Sequence, residues 1–185
     1  MAECPTLITE RLVLRPFRVE DLDPLHAIMT TEEVQASLHL PAEFSLDDSW
    51  RAMLSFAGLW GLRDLGQWAI EERTSGRFVG RAGLYWRPED DWPGVEVGWM
   101  LDPRVWGLGY ATEAGSRAVR FGFDQLDEDT LYSMILPENT RSQAVALRLG
   151  FTPHEERILA HFPSETHMVW RLRRADYRRG EPIEG

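Results

Sequence analysis

Among the 185 residues there is a single cysteine, Cys4, and no lysine. One cysteine excludes a disulfide framework within the chain and any cysteine-rich zinc site. Cys4 reads as a free thiol without a role, in a reducing interior. Without lysine there is no lysine nucleophile and no Schiff base. All 20 basic residues are therefore arginines, a bias that codon composition explains without reference to function. They are outnumbered by 30 acidic residues, for a net charge of −10. A basic face for nucleic acid is thus not expected; at most the field mildly attracts cationic amines. No apolar run approaches the 18 or so residues of a membrane span, and the start, MAECPTLITERL, lacks a basic region followed by an apolar core. We expect no signal peptide, no membrane partner and a cytoplasmic location. The five histidines show no ligand spacing, and His154-Glu-Glu-Arg-Ile lacks the second histidine of a zincin, so no metal is expected.

What is present is the composition of a globular protein, 43% hydrophobic and 27% charged, sized for one domain over residues 1–185. Residues 7–17 alternate as a strand closed by Pro16, and 19–29 carry Leu22, Leu25, Ile28 and Met29 at helical spacing. Residues 30–44 are poorly patterned, a loop or broken helix near a substrate entrance. Ser45 with Asp48 forms a capping-box variant opening a helix to about Leu62, with Trp50, Met53, Leu54, Ala57 and Leu59 as inward candidates. Strand-like runs at 67–72 and 78–85 flank Ser75-Gly76, an antiparallel hairpin. After a polar loop at 87–94 come a strand from Val95, a glycine turn and a helix to Phe123. A strand over 130–136 ends at Pro137, and Asn139 caps a helix that Gly150 stops. Strands at 151–158 and 166–172 flank a loop at His161–Ser164, and the charged tail is expected to fray at its end. The order β-α-α-β-β-β-α-β-α-β-β indicates a mixed α/β domain: one largely antiparallel sheet with helices on both faces.

Three features carry chemistry. The first is the turn Arg104-x-x-Gly107-x-Gly109-x-Ala111, entering a helix whose Ala111, Ala114, Gly115, Ala118 and Phe121 form one stripe. Backbone amides at such a turn are unpaired and the helix dipole adds positive charge, which suits a phosphate or pyrophosphate of a nucleotide-derived cofactor. The alternative is a ligand-free strand-to-helix turn. A Rossmann fingerprint would need a third glycine or alanine where Thr112 stands, and there is no Gly-Lys-Ser/Thr of a Walker loop. The second is Asn139 with Ser142, an amide and a hydroxyl at the start of a helix, open also to reading as a cap and a surface serine. The third is Glu96, which shares a strand face with Gly98 and Met100. A carboxylate in that apolar run requires a partner, water or a raised pKa; the alternative is an edge ion pair to an arginine.

Taken in order, ITERLVLRPF, GWMLDPRVWGLGYATEA and PENTRSQAVALRLGF resemble the GNAT superfamily of acetyl-coenzyme A-dependent N-acetyltransferases, and within it the ribosomal-protein N-terminal acetyltransferase branch. The resemblance spans nearly the whole chain. It implies that the turn of Arg104, Trp106, Gly107, Leu108, Gly109, Tyr110, Ala111 and Thr112 wraps the coenzyme A pyrophosphate with backbone amides. It implies that Met100, Leu101 and Asp102 pair with the pantetheine arm, and that an amide near Met100 or Leu101 faces the thioester carbonyl. By the same resemblance Asn139 contacts the pantetheine or an ordered water, Glu96 is the general base, and Ser142 donates to the departing thiolate. One departure stands out: many members carry a tyrosine as general acid where this chain has Ala146. The implied activity is acetyl transfer to a primary amine, on a peptide N-terminus or a small molecule, by a monomer or homodimer. A non-catalytic coenzyme A-binding module and transfer of a longer acyl group are the alternatives. The acceptor is expected to be shaped by residues 30–45, 87–94 and 159–166.

Overall fold

The structure is a computed structural model that describes residues 3–160 and 162–177. Its centre is an eight-stranded sheet of order β1-β2-β3-β4-β5-β6-β8-β7. Every neighbouring pair is antiparallel except β5 (Glu96–Leu101) with β6 (Thr130–Ile135). The alternation read over residues 7–17 is not one strand but a hairpin of β1 (Leu7–Ile8) and β2 (Leu12–Arg15). The Thr9 hydroxyl accepts from the Leu12 amide, closing a local turn that a continuous strand would leave without partners. β3 (Gln67–Glu72) and β4 (Phe78–Tyr85) form the expected hairpin, and β7 (Thr152–Ile158) pairs with β8 (Thr166–Arg173). The tail beyond Tyr177, where fraying was expected, and His161 lie outside the described residues.

Helices cover both faces. On one, α1 (Leu22–Met29), α2 (Glu32–Leu38) and α3 (Leu46–Arg63) bury Leu25, Ile28, Val34 and Met53 against Ala69, Phe78 and Met100. α2 occupies the stretch read as a loop or broken helix; Thr31 caps it by accepting from the Val34 amide, and His39 ends it at φ 48°. The Ser45–Asp48 box opens α3 as expected. Its inward stripe, however, is Ser49, Met53, Phe56 and Trp60, while Leu54 is half exposed. Phe56 and Trp60 bury more apolar surface, which turns Leu54 and Ala57 outward.

On the opposite face α4 (Tyr110–Asp124) packs Ala114, Ala118, Val119 and Phe123 on Leu12, Ile70, Leu84, Val97 and Leu131. The small residues matter here. A side chain at Gly115 would meet Leu149, and one at Gly122 would meet Leu131, each closer than van der Waals contact. Phe121, read as the end of that stripe, instead sits at its rim, edge-on to Trp60 and Trp68. α5 (Thr140–Arg148) completes this layer through Ala146 and Leu149.

Candidate active site

Glu96 opens β5 where the sheet comes apart. β5 and β6 share one residue pair, Glu96 opposite Tyr132, anchored by the Tyr132 amide donating to the Val95 carbonyl at 2.9 Å. Beyond it the two strands separate into a gap. The Glu96 carboxyl is held among protein atoms, and burial raises its pKa from 4.5 to about 7. The charges of Arg81 and Arg87 and the Met134 amide oppose that rise without cancelling it.

The β4–β5 ladder decides which backbone groups face the gap. The Asp102 amide donates to the Val79 carbonyl, so residues 96, 98, 100 and 102 pair with β4. Alternation then turns the amides and carbonyls of Val97, Trp99 and Leu101 toward β6. Of the two candidates Met100 and Leu101, it is the Leu101 amide that points into the gap. The Leu101 carbonyl is occupied by Trp106 Nε1 at 2.8 Å.

The turn follows directly. Asp102 accepts from the Arg104 amide and side chain, capping a short 3-10 turn at Pro103–Val105. Gly107 and Gly109 sit at φ 81° and 80°, a region an L side chain enters only with strain. Gly109 is the N-cap of α4 and no side chain caps that end. The amides of the first α4 turn thus face outward with the helix dipole behind them. Arg11 fixes the loop from the β1–β2 hairpin. Its Nη1 donates to the Leu108 carbonyl at 2.7 Å, its Nε to Glu113 at 2.7 Å, and its guanidinium lies over the Tyr110 ring. Glu113 also takes the Arg11 amide, and the Tyr110 hydroxyl reaches Glu72 at 2.8 Å. Ala111 and Thr112 lie in the first turn of α4.

α5 approaches the same end of the gap. Asn139 caps it, accepting from the Ser142 amide at 3.1 Å, and donates through Nδ2 to the Ser37 carbonyl of α2 at 3.0 Å. Both ends of that amide are therefore engaged within the protein. The half-buried Ser142 hydroxyl makes no hydrogen bond among the described residues. Arg141 lies over the Trp106 ring at 4.7 Å, tying α5 to the glycine turn.

Two side chains join this site that the sequence reading did not single out. Gln67, Arg81 and Glu96 converge over Gly98: a side chain there would lie 3.5 Å from Gln67 Nε2 and 3.8 Å from both Arg81 Nη1 and Glu96 Oε1. Arg81 is a charge in an apolar strand, the same signal that drew attention to Glu96, but its register opposite Met100 is not legible in one dimension. Arg11, Glu113 and Arg141 carry no such signal, being charges in polar stretches.

A family model described as an acetyltransferase (GNAT) domain matches residues 11–152. The chain belongs to the GNAT acetyltransferase family. A Bacillus subtilis protein named as an uncharacterized N-acetyltransferase, YoaA, is 26% identical over 147 residues, covering 80% of this chain and 82% of that protein. An acetyltransferase structure from Agrobacterium tumefaciens superposes with a TM-score of 0.80 at 30% identity, over 94% of this chain and 97% of that one. A ribosomal-protein-S5-alanine acetyltransferase structure from Vibrio fischeri shares the fold, with a TM-score of 0.73 at 15% identity over 95% and 100% of the two chains. This GNAT protein is an N-acetyltransferase, and members of the family take their acetyl group from acetyl-coenzyme A. The residues present fit that molecule: an uncapped helix N-terminus, two left-handed glycines with open space at Gly107, and a gap edged by free strand backbone.

Proposed function

We propose that the chain transfers the acetyl group of acetyl-coenzyme A to a primary α-amine, of a peptide N-terminus or a small molecule, by direct attack in a ternary complex. The observation that carries this reading is Glu96, a carboxyl with a pKa near 7 at the closed end of the gap into which the Leu101 amide points. The amides of residues 107–112 hold the pyrophosphate, with Arg104 and Trp106 alongside; Met100, Leu101 and Asp102 align the pantetheine, with Asn139 at its side. Acetyl-coenzyme A supplies a thioester, whose carbonyl carbon is the electrophile. The neutral amine attacks it, the C–N bond forms and the C–S bond breaks. Glu96 takes the ammonium proton, directly or through a water, and the Leu101 amide stabilises the charge developing on oxygen. Ser142, whose hydroxyl is unspent among the described residues, donates a hydrogen bond to the leaving thiolate in place of the tyrosine that Ala146 replaces, and the thiolate takes its proton from water.

A covalent acetyl-enzyme has no support. Burial pushes the Cys4 thiol up to about 12, which leaves almost no thiolate. Positioning two substrates together supplies the rate instead. An α-amine, with a pKa of about 7.7–8.0, is roughly a tenth to a sixth neutral at pH 7; an alkylamine near 10.4 is neutral in about one molecule in 2,500. A single base with a pKa near 7 suits the former.

Calorimetric titration of acetyl-coenzyme A should show binding in the micromolar range, and none at high micromolar concentration would sink the cofactor assignment. A screen for thiol release over peptide N-termini, amino acids, polyamines and aminoglycosides should find turnover. Binding without turnover on any of them would favour a non-catalytic coenzyme A module.

A further inference from the structure

The floor of the sheet beside Glu96 carries two opposite charges that do not meet. Arg81 stands opposite Met100, and Met100, Gly98 and Glu96 share one face of β5. Each charge perturbs the other electrostatically, yet no ion pair within 4.0 Å joins them. Between them lies Gly98, where a side-chain carbon would fit at ordinary contact distance from both, 3.8 Å from Arg81 Nη1 and from Glu96 Oε1. A guanidinium has five N–H donors. Arg81 spends one on Gln67 Oε1 at 3.1 Å, and its Nε is buried without a hydrogen-bond partner among the described residues. The Phe56 ring, 4.5 Å away, holds the planar group in place. Arg87, the other cation near Glu96, is engaged by Glu89 and the Tyr85 hydroxyl.

Leaving buried donors unmatched costs about 1–3 kcal/mol for a neutral group and more for a charged one. A carboxylate answers a guanidinium bidentately, and an ammonium answers Glu96. A ligand seated over Gly98 reaches both, and the molecule that carries both charges across one carbon is an α-amino acid. We propose that the acceptor is a free α-amino acid, its carboxylate bound by Arg81 and its amine presented to Glu96 across Gly98. This inference rests on the acetyl-transfer reading above and narrows it from any α-amine to a zwitterion, whose amine is held above the peptide α-amine range by its own carboxylate and is brought back toward it when Arg81 neutralises that carboxylate. The net charge of −10 does not oppose it, since a screening length of about 8–10 Å leaves the choice to the nearest groups. Binding also prepares the base. Arg81 lowers the Glu96 pKa, so a carboxylate that neutralises Arg81 makes Glu96 a stronger proton acceptor as the acceptor arrives.

The test compares the proteinogenic L-amino acids with their carboxamides, as acceptors by thiol release and as ligands by calorimetry on the coenzyme A-saturated protein. Wild type should favour an acid over its amide by about ten-fold or more in kcat/KM, carried by KM. Arg81→Gln should erase that preference by raising KM for the acid far more than for the amide, the two compared on the plateau of each pH profile because losing Arg81 also raises the Glu96 pKa, and Arg81→Lys should retain part of it. The pH limb of kcat should lie above that of kcat/KM for the acids and not for the amides. Equal use of acids and amides by wild type overturns the proposal, with or without a folded variant. So does a fall on both alike in Arg81→Gln, which would make Arg81 only a support for Glu96. Failure of every amino acid to bind the coenzyme A complex overturns it independently of turnover. Thiol release from amines that lack a carboxylate would leave acetyl transfer standing and sink the zwitterion alone.

Discussion

In the proposed mechanism Glu96 combines two properties that pull against each other: it accepts a proton, and burial makes it reluctant to lose one. The result is a base poised near neutrality. The general base must be deprotonated to act, so kcat/KM should rise with pH through about 7 and then level. Glu96→Gln should lose that limb along with most of its activity; normal turnover of the variant across pH 6–9 would remove Glu96 from the mechanism. Stability should run the other way. The folded pKa lies above the unfolded value of 4.5, so the native state holds the extra proton between about 4.5 and 7, and stability falls as pH rises through that window. Chemical denaturation of wild type and Glu96→Gln across that range checks the sign, since the glutamine variant should lack this component. Glu96 and Arg81 were equally visible as charges in apolar runs. Their common face was not, because it depends on the register of β4 against β5, which no spacing within either strand encodes.

The glycine turn is the element whose local sequence says most about its shape. Gly107 and Gly109 both adopt the left-handed conformation, which glycine enters without strain. Gly109→Ala should cost roughly 1–2 kcal/mol of backbone strain. Its new methyl would also crowd the Arg11 guanidinium, 3.3 Å from that position. Acetyl-coenzyme A affinity should fall by about ten-fold or more, while Gly58→Ala, in open space on α3, should leave affinity unchanged. Calorimetry on the two variants separates loop geometry from a general loss of glycine. Helix α2 was less legible: seven residues with Val34 alone buried offer no periodic stripe. The α3 stripe was read rightly at Met53 and in part at Trp50 and Leu59, and missed Phe56 and Trp60 for a related reason. Which of several overlapping apolar faces turns inward is settled by what lies opposite, here Phe17 beside Phe56 and Trp68 beside Trp60.

Across the whole molecule, the elements around the gap are tied by long-range polar contacts. Arg15 bonds Asp21 at 2.7 Å and Glu71 at 2.8 Å, joining β2 to the start of α1 and to β3. Arg15 and Asp21 are buried, and their pairing pushes the Arg15 pKa further up. Asp21→Ala should therefore destabilise by about 1–3 kcal/mol, because it removes two bonds from a buried guanidinium that keeps only Glu71 as its counter-charge. Asp176→Ala, which breaks the exposed Arg173–Asp176 pair, should leave the thermal midpoint where it is. Equal shifts in the two variants would mean that burial is not what sets the cost. On the opposite side of the site, His39 lies 2.7 Å from Glu138 and 2.9 Å from Glu165, and Asn139 reaches Ser37. These contacts hold the end of α2 against the start of α5 and the loop before β8.

The sequence by itself determined the family, the glycine turn at the head of α4, the helix caps at Ser45 and Asn139, and Glu96 as a carboxylate out of place. All of these are local: each rests on residues within a few positions of one another, where backbone conformation and capping are decided by the nearest side chains. Only the tertiary structure decided the rest. It assigned the inward amide to Leu101 rather than Met100 through the alternation of the β4–β5 ladder. It made a hairpin of residues 7–15, and clamped the glycine turn with an arginine from the other end of the chain. It also laid Arg81 beside Glu96 across a glycine. Pairings of that kind depend on strand register and on which face of a helix wins a place in the core, and both are set by the packed whole.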